Sequence, residues 1–294
     1  MILSLFACTD PGDTGIPEPP DPEFAFSIAA IADPHIAGGA DALERLASTV
    51  AWIDEHAESR GIELVVVLGD IGWGEPLQDA HDTLEELDVP YVPVIGDNEP
   101  HAGWGEGFDQ IFAEQLLELE ELGEDWTRMD IPVWDPEAEE TIWLQNYGFT
   151  YRGMRLVVLD WASRSDDTVI GETGDLHDFE GGTLAFLSDE LSDLHAMADE
   201  SVVMATHNPM FLIPGGFDIE QSETVYTLTS AVEEKVAMNL AGHFHVDYEE
   251  TIYDGGYELY IVDAVWDDLK TIRLVEVWDN GETLSYEHEL VIVP

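Results

Sequence analysis

Acidic and histidine residues stand at the ends of several short apolar segments in this chain of 294 residues. The clearest case is residues 65–68, four consecutive apolar residues that lead into Gly69-Asp70. Such runs are typical of strands buried on both faces, as in a covered parallel sheet. Three other apolar segments end in the same way. The residues at the ends of the four segments are Asp33, Asp70, Asp97 and His207. Because open α/β sheets bind ligands at the carboxyl ends of their strands, this arrangement predicts a metal site.

Helical patterns alternate with the first three of these strands. Apolar residues recur at intervals of three and four between Leu43 and Ala57, and Gly61 ends the pattern. A second helix is predicted between Leu77 and Leu87. The order βαβαβ predicts a parallel sheet with right-handed connections. Further along, the patterns predict a hairpin that turns at 152–153, helices over 183–198 and 223–234, a strand over 236–241, and antiparallel strands over 257–263, 271–278 and 284–292.

The composition is that of a globular and strongly acidic protein. Hydrophobic residues make up 45% of the chain, and 64 Asp and Glu outnumber 9 Lys and Arg, which gives a net charge of −55. This charge repels nucleic acid, so no nucleic-acid partner is expected. Physiological salt screens such repulsion over ~8 Å. A solvated acidic surface suited to saline surroundings is therefore favoured over a role in storing cations.

The chain is predicted to consist of an N-terminal lipoprotein-type signal and flexible acidic tether, residues 1–23, and one domain, residues 24–294. The run Leu5-Phe6-Ala7-Cys8 resembles a bacterial lipobox, although Phe6 is bulky and no basic residue precedes it. The following Pro, Gly and Asp residues would form a flexible spacer. This pattern predicts an exported protein held at the membrane of the cell envelope by a lipid on Cys8, the alternative being an incidental apolar N-terminus. No run of 18 apolar residues occurs, so no membrane-spanning segment is predicted.

Residues 101–146 interrupt the alternation of strands and helices. They are predicted to form an insertion near the site, with one helix around 108–122. Their tryptophans either line a substrate pocket or pack the small core of the insertion itself; they are Trp104, Trp126, Trp134 and Trp143.

Five clusters of metal-ligating residue types follow one another along the chain. They are Asp33-Pro34-His35, Gly69-Asp70, Gly96-Asp97-Asn98-Glu99, His207 and Gly242-His243-Phe244-His245. In order and spacing they resemble the motifs of the calcineurin-like metallophosphoesterase family, which are D-x-H, G-D, G-N-H-D/E, a lone H and G-H-x-H. The resemblance extends over about residues 26–292. It implies an α/β fold, a four-layer αββα sandwich of two mixed sheets, with the metal site at the strand carboxyl ends.

The resemblance also implies two divalent or trivalent metal ions. The first would be held by Asp33, His35, Asp70 and His245. The second would be held by Asp70, Asp97, His207 and His243, so that Asp70 bridges the two. Two ions ~3.5–4 Å apart lower the pKa of a bound water towards ~7 and clamp a phosphoryl group. Imidazole and carboxylate ligands without thiolate suit Mn, Fe, Zn or Ni.

The third cluster departs from the family pattern. Where most members have Asn and then His, this chain has Asp97 and then Asn98. Alignment on Gly96 and Glu99 places Asp97 at a ligand position, whereas a shift of one residue would make Asn98 the ligand. In the first alignment Asn98 replaces the histidine credited with protonating the leaving group, and an amide supplies no proton at neutral pH. His101 is either a replacement for this catalytic acid or an exposed loop histidine.

The function implied by the resemblance is that of a dinuclear metal-dependent phosphoric ester hydrolase. It would hydrolyse a small phosphomonoester or phosphodiester through a metal-bridging hydroxide. A nuclease of the same family is disfavoured by the net charge of −55. A non-catalytic metal-binding or interaction module is the alternative from another class. Asn98 supports this alternative, and the Asp or His at every expected ligand position opposes it.

Overall fold

The structure is a computed structural model that describes residues 20–37, 40–136, 138–164, 174–194, 201–211, 216–232, 235–252, 256–267 and 269–294. Strands β1–β14 and helices α1–α7 are numbered here in chain order within these ranges. The predicted lipidation site at Cys8 and most of the predicted tether lie outside the described residues. None of the helices in the described ranges combines the length and the apolar character needed to cross a membrane.

The first sheet contains the strands that carry Asp33, Asp70 and Asp97. In order across the sheet, its strands in the described residues are β14 (Leu284–Ile292), β13 (Thr271–Asp279), β1 (Glu23–Ile31), β2 (Ile62–Leu68) and β3 (Tyr91–Val94). The pairs β1–β2 and β2–β3 are parallel, which confirms the prediction from the βαβαβ order, and β13 and β14 pair antiparallel. Helices α1 (Ala40–Arg60) and α2 (Pro76–Leu84) make the two connections.

The second sheet carries the histidines of the later clusters. Its strands in the described residues are, in order, β11 (Tyr248–Thr251), β12 (Glu258–Ile261), β10 (Val236–Ala241), β9 (Ser201–Thr206), β8 (Met154–Leu159), β7 (Tyr147–Tyr151) and β4 (Glu124–Arg128). Strand β12 was predicted to be antiparallel, but it pairs parallel with β10. The antiparallel partner of β12 is β11, a short polar strand without an alternating pattern, so periodicity could not reveal it.

The two sheets pack face to face, and helices cover their outer faces. Alternate residues of β1 face different layers. Ile28 points into the core between the sheets, whereas Ala29 points towards α1 and α2. Helices α6 (Thr183–Leu194) and α7 (Ile219–Ser230) lie on the outer face of the second sheet, where Leu187 and Val225 are buried. The layers are therefore helix, sheet, sheet and helix, as the family resemblance implied.

Part of the segment 101–146 packs into the main cores, since Leu116 is buried between the sheets and Phe108 is buried in the core beneath α1 and α2. The single helix predicted around 108–122 is wrong, because the chain leaves helical geometry at Phe112 between α4 (Gly105–Ile111) and α5 (Ala113–Leu122). The apolar spacing continues across this one residue, so the sequence pattern hides the break. Trp126 of β4 stacks on Tyr147 with ring centroids 5.5 Å apart. The remaining described elements here are α3 (Asn98–His101), β5 (Val133–Asp135) and β6 (Glu140–Ile142).

Candidate metal centre

The sheets bring the ends of five parallel strands to one edge of the sandwich. Asp33, Asp70 and Asp97 follow β1, β2 and β3, and the histidines of the later clusters follow β9 and β10. Left-handed backbone conformations are concentrated here. Among the described non-glycine residues with positive φ are Asp33 (50°), His35 (51°), Asp70 (47°), His243 (76°) and His245 (51°). Because such a conformation is unfavourable for residues with a Cβ, its clustering marks a functional site.

Three glycines of the clusters allow different segments of the chain to approach one another closely. A Cβ on Gly69 would lie 2.5 Å from Nδ1 of His207, and one on Gly96 would lie 2.1 Å from Oδ1 of Asp70. A Cβ on Gly242 would lie 2.7 Å from Asp33 Oδ2. Each glycine therefore leaves space for an acidic or histidine side chain delivered by another strand.

One group of three side chains, called here the open group, comprises Asp33, His35 and His245. Their ligand atoms lie within 4.8 Å of one another. Asp33 Oδ1 is 3.6 Å from Nε2 of His35 and 3.5 Å from Nε2 of His245, and the two Nε2 atoms are 3.1 Å apart. The side chains of His35 and His245 are 17% and 27% exposed, so solvent reaches this group.

A second group, called here the deep group, comprises Asp97, His207 and His243, again with ligand atoms within 4.8 Å of one another. Asp97 Oδ1 is 3.7 Å from His207 Nε2, and Asp97 Oδ2 is 3.3 Å from His243 Nδ1. The side chains of His207 and His243 are only 1% and 12% exposed. This group is therefore more buried than the open group.

Asp70 lies between the two groups. Its Oδ2 is 3.3 Å from Nε2 of His35, in the open group, and its Oδ1 is 3.5 Å from Nε2 of His207, in the deep group. One carboxylate oxygen thus faces each group. With this orientation, Asp70 could contribute a ligand atom to both.

The buried acidic groups of the site are paired with histidines. Asp33, Asp70 and Asp97 are at most 4% exposed, and their ion pairs with the described residues are all with histidines. Burial alone would lower the pKa of His35, but hydrogen bonds and charges from Asp33 and Asp70 outweigh it and raise the pKa to about 9. Burial alone would raise the pKa of Asp70, but the charge of His207 and the hydrogen bond from His35 hold it below its usual range.

The arrangement of donors fits metal ions. Asp97 Oδ2 is buried without a hydrogen-bond partner among the described residues, so it has a lone pair available for a cation. In each group, two imidazole nitrogens lie within 3.1–3.3 Å of one another. Neutral imidazoles meeting in this way can both direct lone pairs at one cation. The carboxylate and imidazole set is one that Mn, Fe, Zn or Ni accepts.

Further hydrogen bonds orient the donors. Nδ1–H of His207 donates to the carbonyl of Leu68 over 2.9 Å, which orients the ring so that Nε2 faces Asp70 and Asp97. Glu99 is fully buried and accepts from the backbone N–H groups of Gly72 at 3.0 Å and Gly96 at 2.9 Å. It therefore ties together the loops that follow β2 and β3.

Asn98 and His101, the two residues predicted to act in catalysis, occupy different surroundings. The backbone N–H of Asn98 donates to Asp70 Oδ1 over 3.0 Å, and its side-chain amide donates to Asp70 Oδ2. Because Asp97 contacts His207 and His243 while Asn98 turns an N–H towards Asp70, the geometry favours Asp97 as the ligand. His101 is exposed at the end of α3.

Two tryptophans outside the five sequence clusters flank the open group. The ring centroid of Trp73 lies 5.6 Å from that of His35, and the centroid of Trp266 lies 5.6 Å from His35 and 5.8 Å from His245. Trp73 could have been suspected, since it stands three residues after Asp70. Trp266 follows β12 and belongs to no motif, so only the folded chain identifies it.

Known structures of the same architecture resemble this chain at low sequence identity. No curated protein matches it. The protein TT1561 of Thermus thermophilus is 15% identical over 92% of this chain and 99% of its own, with a TM-score of 0.51. Purple acid phosphatase PPD1 from yellow lupin seeds is 15% identical over 93% of this chain and 52% of its own, with a TM-score of 0.53. GAP50, the anchor in the inner membrane complex of Plasmodium, is 10% identical over 92% and 90%, with a TM-score of 0.50.

These likenesses establish the fold, and a sequence comparison establishes the family. The family model described as calcineurin-like phosphoesterase matches residues 26–247, which is more than half of the chain. This range contains all five clusters and therefore every residue of the open and deep groups. The chain belongs to the calcineurin-like phosphoesterase family.

Proposed function

We propose that the protein is a metal-dependent phosphoesterase that hydrolyses a small phosphomonoester or phosphodiester. The observation that carries this proposal is the pair of adjacent donor clusters, the open and deep groups, with one oxygen of Asp70 facing each. A third cluster, Asp33, Asp70 and His207, connects them. Two adjacent clusters joined by a shared carboxylate are what a pair of metal ions requires. The family membership and the phosphatase among the related structures support the same reaction class.

Seven side chains of the site would hold metal, and Asn98 would orient the substrate. Asp33, His35 and His245 would hold one ion, Asp97, His207 and His243 would hold the other, and Asp70 would join them. When bound, a pair of such ions polarises a phosphoryl oxygen and makes water a nucleophile at neutral pH. The three carboxylates would neutralise most of the added charge, while the neutral imidazoles would keep the site electrophilic.

Asn98 would orient the phosphoryl group by donating a hydrogen bond from its amide. Its amide nitrogen already lies next to Asp70. An amide cannot protonate the leaving group. The enzyme should therefore favour esters whose leaving groups depart without a proton, such as aryl esters.

Metal analysis combined with two assays tests this function. Protein reconstituted with Mn²⁺ should contain about two ions per chain, as a two-metal site requires. The same sample should hydrolyse p-nitrophenyl phosphate or bis(p-nitrophenyl) phosphate, and the comparison of the two separates a monoesterase from a diesterase. A metal content near zero with Mn, Fe, Zn and Ni would contradict the proposal.

A non-catalytic binding module is the second candidate, and Asn98 is the observation that favours it. Since a family position credited with acid catalysis holds an amide, this chain could bind metal and a phosphorylated partner without turnover. Such a module would contain metal but would leave both p-nitrophenyl esters intact. Full metal content without hydrolysis would therefore select this candidate.

Export as a lipid-anchored protein is a separate proposal that depends only on the sequence around Cys8. Expression in a bacterial host should place the protein in the membrane fraction, and Cys8→Ser should release it or leave it unprocessed. Mass spectrometry of the N-terminus provides the check. An unmodified Met1 on protein recovered from the cytosol would contradict the proposal.

A further inference from the structure

The open group is the side from which a substrate can reach the metal centre. The side chains of His35 and His245 are 17% and 27% exposed, whereas that of His207 is 1% exposed. A phosphoester that reaches the donors must therefore place its organic part next to these two histidines. The residues that surround them decide which organic groups fit.

An exposed indole lies at this opening. Trp266 is 43% exposed, and its ring centroid is 5.6 Å from that of His35 and 5.8 Å from that of His245. Trp73 also contacts His35, with its ring nearly perpendicular to the imidazole at an interplanar angle of 81°. Trp266 thus has an exposed aromatic surface beside the metal donors, and Trp73 packs against one of the histidines that it contacts.

The backbone holds Trp266 at a fixed distance from the donors. Its N–H donates to the carbonyl of Asp33 over 3.2 Å, and its carbonyl accepts from the guanidinium of Arg45. The preceding residue, Val265, is fully buried, and its N–H donates to Ala32 over 2.8 Å. Backbone hydrogen bonds therefore fix Trp266 to the segment that carries Asp33. The position of the indole is thus set before a substrate binds.

The charge around the opening favours recognition by stacking over recognition by ion pairs. Asp267 follows Trp266 directly, and its negative charge acts on His245. A chain of net charge −55 attracts no anionic substituent beyond the phosphate itself. An indole face binds a planar ring without any charge on either partner.

We propose that Trp266, supported by Trp73 beside His35, forms a stacking subsite that selects phosphoesters with a planar aromatic ring close to the phosphate. This inference rests on the proposed function, because it assumes that the phosphate binds at the open and deep groups. Trp266 is then a specificity-determining residue that contacts the organic part of the substrate. The contribution of one stacking contact corresponds to a preference of about tenfold or more over a saturated ring of equal size.

Binding of two phosphonates tests the subsite without any turnover. Calorimetry on the Mn²⁺-loaded protein should show that phenylphosphonate binds about tenfold more tightly than cyclohexylphosphonate. Trp266→Leu should abolish this preference, because leucine retains apolar bulk but has no ring, and Trp266→Phe should retain most of it. Trp134→Leu is the matched control, since Trp134 is 57% exposed on β5, and it should leave the preference unchanged.

Turnover of benzyl phosphate and cyclohexylmethyl phosphate distinguishes the inference from the function on which it rests. Both esters release primary alcohols, so a difference in kcat/KM reports ring recognition and not the leaving group. If phenylphosphonate is preferred but neither these alkyl esters nor p-nitrophenyl phosphate nor bis(p-nitrophenyl) phosphate is hydrolysed, the proposed phosphoesterase activity fails and the stacking subsite stands. Equal affinity for the two phosphonates, no binding of either, or an unchanged preference in Trp266→Leu overturns the subsite.

Discussion

The open and deep groups contain the same residue types, one Asp and two His, but they differ in burial and support. In the deep group, His207 is 1% exposed and donates through Nδ1–H to the carbonyl of Leu68. In the open group, His35 and His245 are in contact with tryptophans and solvent. Because hydrogen-bonded, buried ligands are held in one orientation, the deep group should retain its ion more tightly. The open group should exchange its ion and receive the substrate.

Replacement of Asp70 should have the largest effect, because it removes what the two groups share. Asp70→Ala deletes the oxygens that face His35 and His207, so metal content should fall from about two ions per chain towards zero. Phosphoesterase activity should fall by at least ~10², because loss of the ions removes their electrostatic stabilisation of the transition state. Asp79→Ala, which removes an exposed carboxylate on α2, is the control and should change neither measurement. Retention of both ions by Asp70→Ala would show that the groups are independent.

Replacement of one histidine in each group should show which group holds which ion. Metal release from wild-type protein into excess chelator should be biphasic, with the fast phase from the open group. His245→Ala should remove the fast phase and His207→Ala the slow one. His207→Ala should also lower the melting temperature more, because it leaves the carbonyl of Leu68 without its buried donor. A single release phase in the wild type, unchanged in both variants, would contradict the difference between the groups.

Substitutions at Asn98 and His101 examine protonation of the leaving group. Asn98→His introduces a general acid beside Asp70, and such an acid is typically worth ~10²–10⁴ in rate. It should raise hydrolysis of alkyl phosphoesters selectively and change p-nitrophenyl phosphate turnover little. If His101 supplies the proton in the wild type, His101→Ala should lower alkyl-ester turnover by at least an order of magnitude. Wild-type rates that are equal on alkyl and aryl esters, and unchanged in both variants, would show that neither residue controls this step.

The smallest of the four predicted effects is the pH dependence of the melting temperature and of Mn²⁺ affinity, and it concerns His35 in the open group. Since the pKa of His35 rises from 6.5 to about 9 in the metal-free protein, its protonated form stabilises the fold at pH values below 6.5. That stabilisation disappears as the pH rises through about 9, so the melting temperature of metal-free protein should fall across this interval. A metal ion replaces the proton, so apparent Mn²⁺ affinity should rise over the same interval, by at most about tenfold per pH unit for each proton displaced. A melting temperature that rises with pH in metal-free protein would contradict the protonation of His35.

Local patterns predicted much of the sheets and helices. Strands β1, β2 and β3 were recognisable because apolar runs and helical spacing are properties of neighbouring residues, and their parallel order follows from the connections. Short or polar elements escaped prediction. Strands β4 and β11 carry no alternating pattern, and the break at Phe112 leaves the spacing of apolar residues intact. These features depend on contacts with distant parts of the chain, which a local pattern does not contain.

The sequence by itself determined which residue types arrive at the ends of the strands, and which glycines stand beside them. It could do so because a buried strand followed by Gly and then Asp or His is a local pattern that involves only neighbouring residues. Only the tertiary structure decided how these donors divide into an open and a deep group. It also decided that each oxygen of Asp70 faces a different group and that Trp266 lies beside His35. The physical reason is distance along the chain: the backbone N–H of His243 donates to Asp33, 210 residues away, and only the packing of two sheets brings them together.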